Sequence, residues 1–321
     1  MSLANQFGQR FTVTSFGESH GLAYGVVIDG MPAGVHYQES ILVDFLNRRK
    51  PGQADYTTAR QENDEPEILS GIYQGKTLGT PIAVVVRNKN QRSEDYDQIQ
   101  NDPRIGHADD TWKNKFGHSD IRGGGRSSGR ETLCRVIAGA FAKMLVNQKK
   151  SDVNVAAFSK KIAHFELTAS GLTAEVKQFL VQAKDQGESY GGVVECVIQS
   201  PMAGLGQPVF HKFKSDLAAA MMSIGATVGF EFGSGFEATN QKGTEFHSKM
   251  DSGVYGGIRG GITTGENILF RVAFKPTSSI KDVAKKGRHD PCIVPRAVPV
   301  VEAMAWLVLA DHMLWAATDK I

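Results

Sequence analysis

Three short motifs occur twice in this chain and in the same order, and this repetition constrains the fold more than any other feature. The pairs are residues 17–21 (GESHG) with 187–191 (GESYG), 70–73 (SGIY) with 252–255 (SGVY), and 106–109 (GHAD) with 287–290 (GRHD). Three matches in one order are hard to attribute to chance. We therefore predict a single domain over residues 1–321, with pseudo-repeats at about 10–146 and 187–316 related by a pseudo-two-fold axis.

Apolar runs rich in β-branched residues and bounded by glycine or proline predict strands in both halves. These predicted strands cover residues 26–29, 82–86, 193–198 and 268–274. Segments near 131–146 and 298–315 are apolar on most faces, which is typical of buried helices. Strands joined by short glycine-rich turns favour antiparallel sheets, and helices packed on such sheets give an α+β fold.

Each half also contains a shorter amphipathic helix. Leu42 lies on the apolar face of the first, for which Ser40 is a candidate N-cap, and Leu217 lies on that of the second, after residues 215–216. Mostly polar segments at 147–152 and 239–249 predict exposed loops.

The composition limits the classes of partner. The chain has 36 basic and 34 acidic residues, a net charge of +2, which gives no general attraction to nucleic acid or to membranes, so we expect neither partner. Cys134, Cys196 and Cys292 form no CxxC pair, as expected in a reducing cytosol. No apolar signal core begins the sequence, and the uninterrupted apolar runs are too short to cross a bilayer. We expect a cytoplasmic protein.

The segment Arg122–Glu131 (RGGGRSSGRE) combines three arginines with four glycines and leads into a predicted helix. Backbone N–H groups at a helix start, flanked by guanidinium groups, form a good anion site. The alternative is an RGG-type nucleic-acid segment, but such boxes normally repeat in disordered sequence, whereas this one occurs once beside a core helix.

Residues 275–279 (KPTSS) follow a predicted strand, and residues 286–291 (KGRHDP) come shortly after. Hydroxyl groups and a cation in this position could hold a phosphate; an ordinary turn is the alternative. His289, Asp290 and Cys292 resemble part of a metal site, but no second ligand pair stands at a useful spacing, so we expect no metal.

Two histidines and one arginine are further candidates. His20 and His107 lie in turns flanked by glycine or alanine, and imidazole titrates near neutral pH, so either is an acid/base candidate or a structural side chain. Arg49, in the basic run at 48–50, is either an anion contact or a solvated helix C-cap.

Taken together, these motifs closely resemble the chorismate synthase family. The motifs that carry the resemblance are GESHG at 17–21, GHAD at 106–109, RGGGRSS at 122–128, KPTSS at 275–279 and GRHDP at 287–291. They occur in the order found in the family and cover nearly the whole chain. The resemblance implies a β-α-β sandwich, in which antiparallel sheets flank central helices, assembled as a homotetramer.

The resemblance also implies a cofactor and a set of site residues. The family uses reduced FMN, with NADPH or an external flavin reductase as the source of electrons. The implied catalytic residues are His20, His107 and Asp290, and the implied substrate contacts are Arg49, Arg130 and Arg135. The implied FMN contacts are Arg126, Ser127, Ser128, Gly225, Ala226, Gly260, Lys275, Pro276, Thr277, Ser278, Ser279 and Arg288.

The implied activity is a lyase reaction of the shikimate pathway, a 1,4-anti-elimination that converts 5-enolpyruvylshikimate 3-phosphate to chorismate and phosphate. A substrate with a phosphate and two carboxylates calls for several arginines. The sequence departs from the family pattern at two positions. The family often has Asn where this chain has Gly225, and it has a second arginine where this chain has Asp55. The loops near 147–160 and 280–286 are also shorter than the corresponding loops of the family. A different flavin or phosphate enzyme on the same fold and a nucleic-acid-binding module are the rival functions.

Overall fold

A computed structural model describes residues 4–52, 57, 64–88, 106–120, 122–248, 253–281 and 290–320. Within these residues, strands and helices alternate in a pattern that is similar in the two halves.

The first half of the chain forms a five-stranded antiparallel sheet in the order β1-β2-β3-β7-β4. Its strands are β1 (Gln6–Phe7), β2 (Thr12–Phe16), β3 (Ala23–Asp29), β4 (Pro66–Ile68) and β7 (Ile82–Arg87). A small hairpin of β5 (Ile72–Tyr73) and β6 (Lys76–Thr77) stands between β4 and β7 in the sequence. Ile82, Val84 and Val86 alternate with more exposed residues, so one face of this sheet is buried.

The second half forms another five-stranded antiparallel sheet, in the order β9-β8-β10-β14-β11. Its strands are β8 (Asn154–Ile162), β9 (Phe165–Glu166), β10 (Gly192–Gln199), β11 (Thr227–Phe232) and β14 (Ile268–Phe274). A small hairpin of β12 (Ile258–Arg259) and β13 (Ile262–Thr263) precedes β14.

Seven α-helices lie in the described residues. They are α1 (Glu39–Arg49), α2 (Asp109–Phe116), α3 (Thr132–Lys149), α4 (Ala174–Gln186), α5 (Phe213–Met222), α6 (Gly243–His247) and α7 (Val294–Ala316). In the cores of α3 and α7 nearly every side chain is buried, as the all-round apolar sequence predicts.

The two long helices form the centre of the molecule. Helix α3 packs against β2 and β3 of the first sheet, α7 packs against β8 and β10 of the second, and the helices pack on each other. Gly139 of α3 permits this contact, because a Cβ there would lie 2.5 Å from the Cβ of Ala303 in α7. The predicted α+β class is therefore confirmed.

Helix α7 is the one described helix long and apolar enough to cross a membrane, but 89% of its apolar window is buried within the protein. It therefore has the character of a core helix.

Local details differ from the sequence predictions. Helix α1 begins at Glu39, with Gln38 as an N-cap that makes no side-chain capping bond, so Ser40 lies inside the first turn and is not the cap. Helix α5 begins at Phe213, before Ser215. The polar segments predicted as loops are partly helical: α3 continues to Lys149, and residues 235–240 and 243–247 form a 3₁₀ helix and α6.

Candidate active site

A cavity of about 770 Å³ lies at the ends of α3 and α7, between the two halves of the chain. Its walls come from β1 and β2, the loop before α2, the glycine-rich segment before α3, the turn after α5, the segment after β14 and the first turns of α7. Cavities of this size are typical of small-molecule and cofactor sites.

Most of the site residues predicted from the sequence lie in the wall of this one cavity. Those that line it are Arg49, His107, Arg126, Ser127, Ser128, Arg130, Arg135, Gly225, Ala226, Lys275, Pro276, Thr277, Ser278, Ser279 and Asp290. Segments more than 200 residues apart in the sequence therefore meet at one place.

The described part of the cavity wall is strongly cationic. Its positive side chains are Arg49, Arg126, Arg130, Arg135, Lys275 and Arg296, and its acidic ones are Glu131 and Asp290. A concave wall with this excess of positive charge attracts anions.

Two of these arginines share one buried carboxylate. Nη1 of Arg49 lies 2.8 Å from Oδ2 of Asp64, and Nη1 of Arg130 lies 3.2 Å from Oδ1. Burial raises the pKa of Asp64 and lowers the pKa of Arg49, because each charge loses its hydration. Nε of Arg49 is buried and has no hydrogen-bond partner among the described residues. The cluster is therefore costly to desolvate, and an anion in the cavity would offset part of that cost.

The glycine-rich segment places its backbone against the turn that carries His20. Gly123, Gly124 and Gly125 all have positive φ, a region that residues with a Cβ rarely occupy. The carbonyl of Gly125 accepts a hydrogen bond from Ser19 N at 3.1 Å, and a Cβ on Gly123 would overlap the imidazole of His20. His20 is 3% exposed and lies beneath this segment rather than in the cavity wall.

His107 is half-buried in the cavity wall, beside the segment that follows β14. Lys275 Nζ donates to the carbonyl of Gly106 at 3.1 Å and to Ser278 Oγ at 3.3 Å. The backbone N–H of Lys275 donates to the carbonyl of Ala226 at 2.9 Å, so three chain segments are joined at this side of the cavity.

Comparisons with known proteins agree with one another. A family model described as chorismate synthase matches residues 11–314. A chorismate synthase of Bdellovibrio bacteriovorus is 57% identical over 99% of each chain, and one of Cytophaga hutchinsonii is 44% identical over 97% of this chain and 98% of its own. A chain from a structure titled "Crystal Structure of Chorismate Synthase" is similar with a TM-score of 0.75 at 30% identity, covering 96% of this chain and 93% of its own.

The chain belongs to the chorismate synthase family. It is accordingly a lyase of the shikimate pathway, which converts 5-enolpyruvylshikimate 3-phosphate to chorismate and phosphate on the route to the aromatic amino acids. Chorismate synthases carry out this 1,4-anti-elimination with reduced FMN.

Two residues that the family resemblance implies as FMN contacts are not in the described cavity wall. Gly260 lies in the turn of the β12-β13 hairpin and does not line the cavity. Arg288, like the divergent Asp55, lies outside the described residues. Among the described residues no cluster of three His, Cys, Asp or Glu side chains is arranged to hold a metal.

Two further residues of the site, Arg296 and Asp64, are not among those predicted from the sequence. Arg296, in the first turn of α7, lines the cavity and forms a close ion pair with Asp290. Asp64 holds Arg49 and Arg130, as described above. An arginine directly after a proline, just before the helix predicted near 298–315, is a signal that could have indicated Arg296. Asp64 stands in an acidic stretch and carries no such signal.

Arg126 and Arg135 are held by protein partners. Nη2 of Arg126 donates to the carbonyl of Ser15 at 2.8 Å. Nε of Arg135 lies 2.9 Å from Glu131, and its Nη2 donates to the carbonyl of Ser223 at 2.9 Å. These bonds fix the guanidinium planes, and a fixed guanidinium binds a planar or phosphate anion with a smaller loss of entropy.

Proposed function

We propose that this cavity is where the chain binds reduced FMN and 5-enolpyruvylshikimate 3-phosphate together. The observation that carries the proposal is the cationic wall, in which five arginines and one lysine from separate segments of the chain surround one space of about 770 Å³. Both ligands are anions of small-molecule size, and a cavity of this volume is large enough for two such ligands in contact.

The residues on one side of the cavity fit FMN. Ser127 and Ser128 offer hydroxyl groups beside Arg126, and the segment from Lys275 to Ser279 offers a cation and three more hydroxyls. At Gly225 no atom lies within 4 Å of where a Cβ would stand, so the backbone there leaves room for a ring system. We assign these residues, with Ala226, to FMN; Arg288 and Gly260 stay predictions from the family resemblance.

Arg49, Arg130 and Arg135 are the proposed substrate contacts, and the structure supports adding Arg296. Each lines the cavity, and guanidinium groups form bidentate hydrogen bonds with carboxylate and phosphate. Several such contacts would orient a substrate that carries three acidic groups, which lowers the entropic cost of reaching the reactive geometry.

Bound reduced FMN supplies electron density to the substrate and recovers it, so that the reaction has no net redox change. The protein then holds and moves protons. We propose His20 and His107 as the acid/base pair, one protonating the departing phosphate and the other maintaining the charge state of the flavin ring. His107 would act from the cavity wall, whereas His20 lies beneath Gly123 and would act through one bridging water. Asp290, held by Arg296, would be the carboxylate next to the flavin.

An anaerobic assay tests the proposed role of reduced FMN. The protein is mixed with catalytic FMN and substrate, with and without excess dithionite, while phosphate and chorismate are measured. We expect many turnovers per FMN when it is kept reduced and none with oxidised FMN. Chorismate formed without flavin, or one reductant consumed per product, would overturn the proposal.

Assembly, location and the source of electrons are proposed on the family resemblance. We infer a homotetramer in the cytoplasm, with FMN reduced either by NADPH on the enzyme or by an external flavin reductase. Light scattering at micromolar concentration tests the assembly, and a monomeric mass would contradict it.

We also infer that the single domain over residues 1–321 arose by duplication, with a pseudo-two-fold axis relating the halves of a β-α-β sandwich. The sheet orders support this, since β2-β3-β7-β4 and β8-β10-β14-β11 place equivalent elements in equivalent positions, each followed by a long helix. Because β8 occupies the place of β2, the second repeat would begin near Asn154 rather than near 187.

A further inference from the structure

Asn88, which directly follows β7, lies between the turn that carries His20 and the guanidinium group of Arg130. Its Oδ1 accepts a hydrogen bond from Nε of Arg130 at 3.0 Å. Its Nδ2 donates to the carbonyl of Gly21 at 2.8 Å and lies 3.3 Å from that of Glu18 and 3.5 Å from that of Ser19.

These partners determine which way the amide faces. Arginine Nε can only donate and a carbonyl can only accept, so the oxygen must face Arg130 and the nitrogen must face the turn. An aspartate of the same shape would place a carboxylate oxygen against carbonyl oxygens, and a leucine would satisfy neither side. The position therefore requires a side chain with an acceptor and a donor on one short stem.

The main chain of Asn88 adds a further bond to the same region. Its N–H donates to the carbonyl of Leu22 at 3.0 Å, so the end of β7 and the turn at 17–22 are connected by both side chain and backbone. On its other side Arg130 contacts Asp64, which in turn contacts Arg49. A continuous hydrogen-bonded path thus runs from the His20 turn through Asn88 to the arginines of the cavity.

We infer that Asn88 is a positioning residue of this enzyme, whose amide holds the His20 turn and the guanidinium of Arg130 in a fixed relation. The inference rests on the proposed roles of His20 as an acid/base group and Arg130 as a substrate contact. Because a proton donor must reach its target directly or through one water, a shift of either group relative to the other lowers the rate.

Asn88→Leu removes both side-chain contacts at nearly constant volume. We expect the single-turnover rate constant per folded molecule to fall about tenfold or more, as is typical for residues in one hydrogen-bond network. The matched control is Asn154→Leu, since Asn154 is exposed at the start of β8, its Nδ2 donates to Gln199 at 3.0 Å, and neither residue lines the cavity. The control should retain the rate of the unmodified protein.

A double-mutant cycle with Arg130→Lys separates positioning from a general structural role. Lysine has no Nε–H to donate at the position that Asn88 accepts from, so Asn88→Leu should reduce the rate by a clearly smaller factor, within about threefold, in that background. Equal factors in both backgrounds, or a normal rate per folded molecule in Asn88→Leu, would overturn the inference. If Asn88→Leu does not fold, Asn88→Asp keeps the acceptor toward Arg130 and must still lower the rate, because it opposes the carbonyls of the turn.

Titration with inorganic phosphate gives a readout that does not depend on turnover. Asn88→Leu should bind phosphate several-fold more weakly than the unmodified protein, because Arg130 loses the contact at its Nε and keeps only that with Asp64. If the unmodified protein proved inactive and its phosphate affinity still fell in Asn88→Leu, the proposed function would be wrong and the positioning role of Asn88 would stand. Unchanged phosphate affinity in an otherwise active protein would count against Asn88 alone.

Discussion

Nη1 of Arg49 lies 2.8 Å from Oδ2 of Asp64, and both side chains are almost completely buried. Asp64→Asn removes the negative charge that Arg49 shares with Arg130. Breaking a buried pair by removing one partner costs about 3–5 kcal/mol, because the other charge stays buried and uncompensated. We expect a loss of that size in the free energy of unfolding, measured by denaturant unfolding.

The control for this change is Asp152→Asn. Asp152 pairs with Lys150 at 2.9 Å on the surface, where such a pair contributes little. Equal unfolding free energies for the two variants would show that the buried cluster is not structurally important.

Two glycines of one segment should differ in their tolerance of alanine. Gly123 has φ +61° and a Cβ there would overlap the ring of His20, whereas nothing lies within 4 Å of a Cβ on Gly129. The left-handed conformation alone costs about 1–2 kcal/mol for a residue with a Cβ. Gly123→Ala should therefore lower the melting temperature and Gly129→Ala should not, as differential scanning fluorimetry would show. Identical melting curves would contradict the close approach of Gly123 to His20.

Substitutions of the two histidines should both lower the rate but should differ in their effect on stability. His107→Ala should lower the single-turnover rate by roughly 10²–10⁴ with little change in melting temperature, because His107 is only half-buried. His20→Ala should lower the rate similarly and also the melting temperature, because His20 is 3% exposed and its loss leaves a cavity. A normal rate per folded molecule in either variant removes that histidine from the mechanism.

The buried carboxyl group of Glu302 should make the stability of the protein depend on pH. Its carboxylate lies in α7, 2.6 Å from Arg48 Nη2, and accepts a hydrogen bond from Ala157 N, yet burial raises its pKa. The folded protein therefore keeps this proton to a higher pH than the unfolded chain, where glutamate titrates near about 4.3. The stability from this group is fully present below that pH and is lost as the pH rises through the raised pKa.

Glu302→Gln cannot titrate, so unfolding free energies measured from pH 4 to 7 should fall less steeply with pH than in the unmodified protein. Glu175→Gln, at an exposed position in the first turn of α4, should leave the slope unchanged. Parallel curves for the Glu302→Gln variant and the unmodified protein would mean that the carboxyl titrates alike in the folded and unfolded states.

The three cysteines should be unreactive in the native protein. All three are buried, and burial raises the pKa of Cys134 and Cys292 to about 12 and that of Cys196 well above its usual range. Because the thiolate is the reactive form, Ellman's reagent at pH 8 should label none of them quickly, and all three after guanidinium denaturation. Labelling of one native thiol within seconds would contradict the burial of that cysteine.

The strands and the long helices could be predicted from the sequence because their signals are local. The strand predicted at 268–274 has the bounds of β14, and the apolar segments near 131–146 and 298–315 lie within or closely match α3 and α7. Helix starts were less predictable: Ser40 has the residue type of an N-cap, yet the N-cap is Gln38, two residues earlier, and its side chain makes no capping bond. Helical stability in proteins comes mainly from packing of the apolar face, here Leu42 and Phe45, so a cap signal alone does not fix the start.

The sequence by itself determined the family and most residues of the cavity wall, because the glycine-rich and basic motifs are contiguous and distinctive. Only the tertiary structure decided how these residues are held. Asp64 and Asn88 stand in unremarkable stretches of sequence, and Arg296 has only its place after a proline to mark it. These three residues acquire their roles from partners that stand 6 to 70 residues away. His20 lies beneath Gly123 because a backbone without a Cβ can approach an imidazole ring closely. Such contacts depend on the packing of the whole chain, which no local pattern encodes.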